Sequence, residues 1–271
     1  MAALFVCAAA HAEPAAFLAE IDGRIVARHA EREARQPASL AKLATALLVL
    51  RGYEGDSTAL RDTIVSVSAR AAATPGTRLG LQAGDRARLR DLLDAMLIGS
   101  ANDACLALVE HASGGDVRAF ARRMNRLAQE LGMLSSHFVD PCGHDRPGQY
   151  STASDLLKLA HAALADATIP FVADRADVQV VLVEGDRTLW MRSTNAMLGR
   201  YPGVFGLKTG YTAQAGGCVI AAAQLQSSLA IVVVLGSRQR WTDAATLLDR
   251  TFDGALPIPR ARTPNTIGEP D

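Results

Sequence analysis

Residues 36–50 read QPASLAKLATALLVL, and from Leu40 to Leu50 only Lys42 and Thr45 interrupt the apolar side chains. A surface helix shows a polar stripe, whereas a segment apolar on nearly every side reads as a helix enclosed by other structure. Ser39 stands where this helix begins, near the positive end of its dipole. Lys42 follows three residues later, one turn along on the same face. Of the 28 cationic residues only Lys42, Lys158 and Lys208 are lysine. A buried lysine can give up its proton and act as a base toward a serine hydroxyl; arginine cannot. The ordinary alternative is a chance S-x-x-K spacing with Lys42 in solvent.

The segments around this helix set the fold class. AFLAEIDGRIVARHA, residues 16–30, alternates apolar and polar residues around Asp22-Gly23, a short hairpin signal. Helical periodicity runs through residues 87–100, 103–112 and 116–133, which form a central helical region. STASDLLKLAHAAL, residues 151–164, is also helical, with Lys158 expected in solvent. CVIAAAQLQSSLAIVVVLGS, residues 218–237, reads as two buried strands joined near Gln226-Ser227-Ser228, and residues 240–252 as a closing helix. Strands at both ends with helices between them predict that the two ends share one sheet. The expected fold is α/β, an antiparallel sheet flanked by helices with an inserted helical lobe.

Composition narrows the function. The chain has 271 residues, 49% of them hydrophobic, enough for a sizeable core. Its 28 acidic and 28 basic residues balance, so no long-range field recruits nucleic acid or anionic lipid. The run MAALFVCAAAHA, residues 1–12, ends in Ala10-His11-Ala12 and reads as an export signal, although no basic residue precedes it. Residues 13–255 are then one folded domain, and the proline-rich segment 256–271 is expected to be loose. No other apolar run approaches the roughly 18–20 residues that span a bilayer, so the mature protein is expected to be soluble, without a transmembrane anchor. Without Cys7, the cysteines are Cys105, Cys142 and Cys218, an odd number with no C-x-x-C spacing. That excludes a disulfide framework and a zinc-thiolate site. It leaves one bridge with a spare thiol or three buried free thiols, the second being the ordinary expectation. No histidine pair has metal-ligand spacing, so neither metal nor cofactor is expected.

Two further stretches carry chemistry. In IGSANDACLAL, Ser100-Ala101-Asn102 lies between two helical segments, where small polar residues commonly cap a helix. In VFGLKTGYTAQAGG, Lys208-Thr209-Gly210 leads into a buried strand. A glycine there lets another segment approach an edge strand, and Lys and Thr offer donors to a carboxylate; the alternative is a β-turn with Lys208 in solvent.

The set S-x-x-K, S-x-N and K-T-G, in that order, resembles the motif set of penicillin-binding proteins and class A β-lactamases. Residues 37–48, 84–111, 124–143, 150–160 and 201–223 resemble, at matching positions, the low-molecular-mass penicillin-binding proteins that act as D-alanyl-D-alanine carboxypeptidases. The resemblance runs from about Phe17 to Phe252. It implies an exported, extracytoplasmic enzyme whose partner is the D-Ala-D-Ala end of a peptidoglycan stem peptide and which β-lactams inhibit covalently. It makes Ser39 the nucleophile and Lys42 its base. Ser100 would relay a proton to the leaving amine, and Asn102 would hold the substrate backbone and the lysine. Lys208 and Thr209, on an edge strand with Gly210, would bind the terminal carboxylate. Backbone N–H groups of Ser39 and Tyr211 would form the oxyanion hole, and Arg240 matches an arginine supporting carboxylate recognition, against the alternative of an ordinary surface arginine.

Three features depart from that pattern. Phe205 stands where relatives commonly carry Asp, DPCGHD replaces the usual Gly-Leu sequence near Gly143, and the β-rich domain and amphipathic anchor common among relatives do not follow. The last suggests a free periplasmic enzyme, or one held in place by partners. Class A β-lactamases deacylate with a glutamate in an E-x-x-x-N stretch, and no glutamate after Ser100 is followed four residues later by Asn. A β-lactamase is therefore disfavoured, while a D,D-endopeptidase and an inactive peptidoglycan-binding protein remain as rivals.

Overall fold

β1 (Ala16–Ile21) and β2 (Arg24–His29) form the hairpin expected from Asp22-Gly23; both turn residues have positive φ, +48° and +79°. A computed structural model describes residues 13–253; the expected export signal and the proline-rich tail lie outside them. A 3₁₀ turn (Ala38–Ala41) leads into α1 (Lys42–Arg51). Then come α2 (Ser57–Asp62), β3 (Ile64–Ser66), α3 (Ala69–Ala72), β4 (Arg86–Arg88), α4 (Leu89–Ile98), α5 (Asn102–Ser113), α6 (Val117–Glu130), α7 (Ala153–Ala165) and α8 (Thr168–Ala173). The hairpin of β5 (Asp177–Val181) and β6 (Thr188–Arg192) precedes β7 (Val204–Thr212), β8 (Gly216–Leu225), β9 (Ser228–Ser237) and α9 (Arg240–Asp253).

The main sheet has the order β2-β1-β9-β8-β7 and is antiparallel throughout. The two ends of the chain meet where β1 pairs with β9, as the order of elements predicted. Alternate residues of the central strands serve two cores. Leu18, Ile220 and Val233 face the helical lobe, while Phe17, Val219 and Val232 pack with Trp241, Leu248 and Phe252 of α9. All six residues of β1 are buried, so the alternation read from the sequence marks two cores rather than a wet face. Glu20 is the polar exception; its carboxylate meets His161 of α7 at 2.9 Å.

α1 is buried from Lys42 through Leu50, with only Arg51 exposed, the enclosed helix its composition demands. The helical lobe beside it carries two small sheets, β3–β4 and β5–β6, that periodicity did not reveal because their strands have three to five residues. The ordinary expectation for the cysteines is overturned: Cys105 and Cys142 are joined in a disulfide, and among the described residues only Cys218 is a free, buried thiol. Spacing could not show the pair, because α6 and its flanking loops bring residues 105 and 142 together, their Cα atoms 5.9 Å apart. Lys158 is half exposed, as expected, and binds Asp155 and the Gly132 carbonyl.

Candidate active site

Ser39 lies in the 3₁₀ turn that runs into α1, with Ala38 before it in the left-handed region at φ +48°. Such a conformation is strained for a residue with a side chain and is kept only where the surroundings impose it. Two glycines supply the room. A Cβ on Gly143, itself at φ +85°, would fall 2.1 Å from the Ala38 carbonyl oxygen, and a Cβ on Gly210 would fall 2.9 Å from the Ser39 nitrogen. The close approach expected of Gly210 is thus that of edge strand β7 to the serine turn.

Lys42 is fully buried. Its Nζ donates to Ser39 Oγ at 2.8 Å, to Asn102 Oδ1 at 2.7 Å and to the Cys142 carbonyl at 2.5 Å. Burial lowers its pKa from 10.5 to about 7, opposed by the nearby charge of Asp140. Burial also disfavours the charge on Asp140, but hydrogen bonds from His144 and from the N–H groups of Cys142 and His144 outweigh it and hold the carboxyl below its usual range. A lysine near neutrality, hydrogen-bonded to a serine hydroxyl at a helix start, is equipped to take that hydroxyl's proton.

Asn102 opens α5; its Nδ2 donates to the Pro75 carbonyl at 2.7 Å, leaving Oδ1 for Lys42. Ser100, at φ +60°, makes the sharp junction between α4 and α5. Among the described residues no hydrogen bond joins it to Ser39 or Lys42. Lys208 is buried in β7, and burial, then Lys42, then Arg240 push its pKa well down. Its Nζ donates to the Thr209 carbonyl at 3.0 Å, while Thr209 Oγ1 lies 2.6 Å from Thr194 Oγ1. Arg240 Nη1 donates to the Gly210 carbonyl at 3.2 Å, and its guanidinium lies over the rings of Trp241 and Tyr211. It is a buried arginine, not a surface one. Tyr211 is exposed.

Three motifs distant in sequence thus converge: Asn102 of the second meets Lys42 of the first, and Gly210 of the third lies against the Ser39 backbone. The model of the D-alanyl-D-alanine carboxypeptidase family matches residues 6–239. The chain belongs to that family. The carboxypeptidase DacF of Bacillus subtilis is 32% identical over 248 residues, which cover 90% of this chain and 63% of that protein. DacC of Escherichia coli is 32% identical over 87% of this chain and 60% of its own length. This member thus spans less than two thirds of those relatives. Among solved structures, the Streptomyces K15 DD-transpeptidase matches with a TM-score of 0.82 at 26% identity, over 89% of this chain and 97% of that one. The antiparallel sheet with its helical lobe is therefore the penicillin-binding-protein fold.

Sequence reasoning missed several groups of this cluster. The Cys142 carbonyl on Lys42 is backbone, which sequence does not announce, and Thr194 was one polar residue among many. Asp140 and His144 belong to the DPCGHD segment, where they form a compact loop closed by their own hydrogen bonds. Phe205 packs half-buried against the main core. Among the described residues no cluster of His, Cys, Asp and Glu could hold a metal.

Proposed function

We propose that the protein is a serine-type D-alanyl-D-alanine carboxypeptidase that removes the terminal D-alanine from peptidoglycan stem pentapeptides through an acyl-enzyme on Ser39. The observation that carries this reading is the 2.8 Å hydrogen bond between fully buried Lys42 and Ser39 Oγ. Neutral Lys42 takes the hydroxyl proton as Oγ attacks the carbonyl carbon of the penultimate D-alanine. The oxyanion is received by backbone N–H groups of Ser39 and Tyr211, which act where charge develops. Collapse breaks the amide, and Ser100 passes a proton to the departing amine. Water then cleaves the ester and restores Ser39. Lys208 and Thr209, backed by Arg240, take the substrate's terminal carboxylate. That anion favours the charged form of Lys208, whose charge in turn keeps Lys42 neutral.

A β-lactam would acylate the same serine. The substrate lies outside the cytoplasmic membrane, and the disulfide supports export, since such bonds persist in oxidising compartments. Among the described residues no helix is long and apolar enough to cross a membrane. The same acyl donor occurs in peptidoglycan cross-links, so a D,D-endopeptidase is the second reading. Incubation with a pentapeptide muropeptide and, separately, a cross-linked dimer, read by mass, separates them. Loss of one D-alanine from the monomer, absent in Ser39→Ala, is the expected result; cleavage of the dimer alone would make the enzyme an endopeptidase, and no product from either would leave a binding protein.

A further inference from the structure

We propose that the Cys105–Cys142 disulfide is a positioning element for Lys42, tying together two of the three groups that hold its Nζ. This rests on the reading of Ser39 and Lys42 as nucleophile and base. Asn102 opens α5, and Cys105 lies three residues on, along the same side of the helix. Cys142 lies in the 140–145 loop, and its own carbonyl is the acceptor 2.5 Å from Lys42 Nζ. The chain of contacts is closed: lysine to Asn102, along α5 to Cys105, through the disulfide to Cys142, and from its carbonyl back to the lysine.

The loop's other contacts are noncovalent: His144 Nε2 lies 3.3 Å from the Pro75 carbonyl to which Asn102 Nδ2 also donates, and the rest hold the loop to a different element. Thr45 Oγ1 donates to the Pro141 carbonyl at 2.7 Å, and Gly143 lies against Ala38, so these fasten the loop to α1 and the serine turn. The disulfide adds the covalent tie to α5. With it broken, the loop and α5 can part, the Cys142 carbonyl and Asn102 Oδ1 no longer converge on one point, and water reaches the amine. A cleft of about 330 Å³, lined by Thr74, Pro75, Leu106, Cys142 and His144 among others, reaches the Cys142 side of the bond.

The ionisable and charged groups facing Lys42 bound what a pH profile can report. Asp140 belongs to the tied loop, with His144 and Arg146 on its carboxylate; Lys208 faces Lys42 from β7, backed by Arg240 of α9. Ser39 and Asn102 are neutral. The third cysteine does not interfere, because burial pushes the Cys218 thiol up to about 11 and keeps it protonated.

The test measures acylation of the full protein by a fluorescent penicillin across pH, for the oxidised enzyme, the enzyme reduced with a phosphine, and Cys105→Ala/Cys142→Ala. The phosphine breaks the Sγ–Sγ bond; each sulfur gains a proton, and the phosphine leaves as its oxide with the oxygen of water. Melting temperatures and near-ultraviolet dichroism are recorded in parallel, and the alanine variant supplies the measurement if the reduced enzyme does not stay folded. Acylation at neutral pH is expected to fall about tenfold, with the acid limb moved about one unit higher as the amine becomes hydrated. Reoxidation restores the reduced wild type and leaves the variant unchanged. Superimposable pH profiles with only a lower melting temperature would make the disulfide merely structural and overturn the proposal. Oxidised protein that is not acylated at any pH would overturn the reading of Ser39 and Lys42, and this inference with it.

Discussion

Lys42 is the residue on which the proposed chemistry turns. Because its pKa is lowered to about 7 and the neutral amine is the active form, acylation by a penicillin should rise with pH through about 7 and level off above it. Lys42→Arg keeps a cation but has no accessible neutral form. It should lose at least about 100-fold in acylation rate, measured as covalent label per unit time; a variant retaining wild-type rate would remove the lysine from the mechanism. Gly143 tests the serine turn without touching a functional side chain. A methyl there would meet the Ala38 carbonyl at 2.1 Å, at a backbone φ of +85°. Gly143→Ala should cost about 1–3 kcal/mol of stability, seen in urea unfolding, and should slow acylation by displacing Ser39.

Among the elements, α5 and the loop after α6 matter most, because the disulfide joins them. The bond spans 37 residues of chain, a loop whose closure is worth about 3–4 kcal/mol in the chain-entropy account. Reduction should therefore lower the denaturant midpoint and, because the unfolded chain is no longer cross-linked, steepen the slope; an unchanged midpoint would show the loop held by its other contacts alone. Buried Asp103, the residue after Asn102, secures the start of α5 differently: its carboxylate accepts from the N–H groups of Leu79, Gly80 and Leu81. The long segments, α1, α4 through α7, β8, β9 and α9, were legible because each has enough residues to display a period. The short pairs β3–β4 and β5–β6 were not, since three to five residues carry too little pattern and their partners lie far along the chain.

For the whole molecule, the sheet order β2-β1-β9-β8-β7 places the K-T-G strand at an edge, facing a helical lobe inserted between the chain's two terminal portions. Between that edge and the lobe the three motifs converge, Asn102 on Lys42 and Gly210 against the Ser39 backbone. A class A β-lactamase clears its acyl-enzyme with a glutamate-activated water, and the E-x-x-x-N stretch that would supply it has no counterpart after Ser100. Penicillin should therefore remain attached to Ser39, visible as a lasting mass increase abolished in Ser39→Ala; rapid turnover of a chromogenic cephalosporin would contradict this.

From residue order alone came the buried helix, the shared sheet and the three triplets, because hydrophobic period and scarce lysines are local properties. The same order left open whether Lys42 and Lys208 were buried and whether Arg240 lay on the surface. It also favoured three free thiols where two are bonded. Those matters depend on which distant segments pack together. Burial lowers a lysine's pKa, a carbonyl from residue 142 helps to hold it, and 37 residues of intervening chain fold back to bring Cys105 to Cys142. Desolvation and long-range contact arise only once the chain has closed on itself, so no local pattern can encode them.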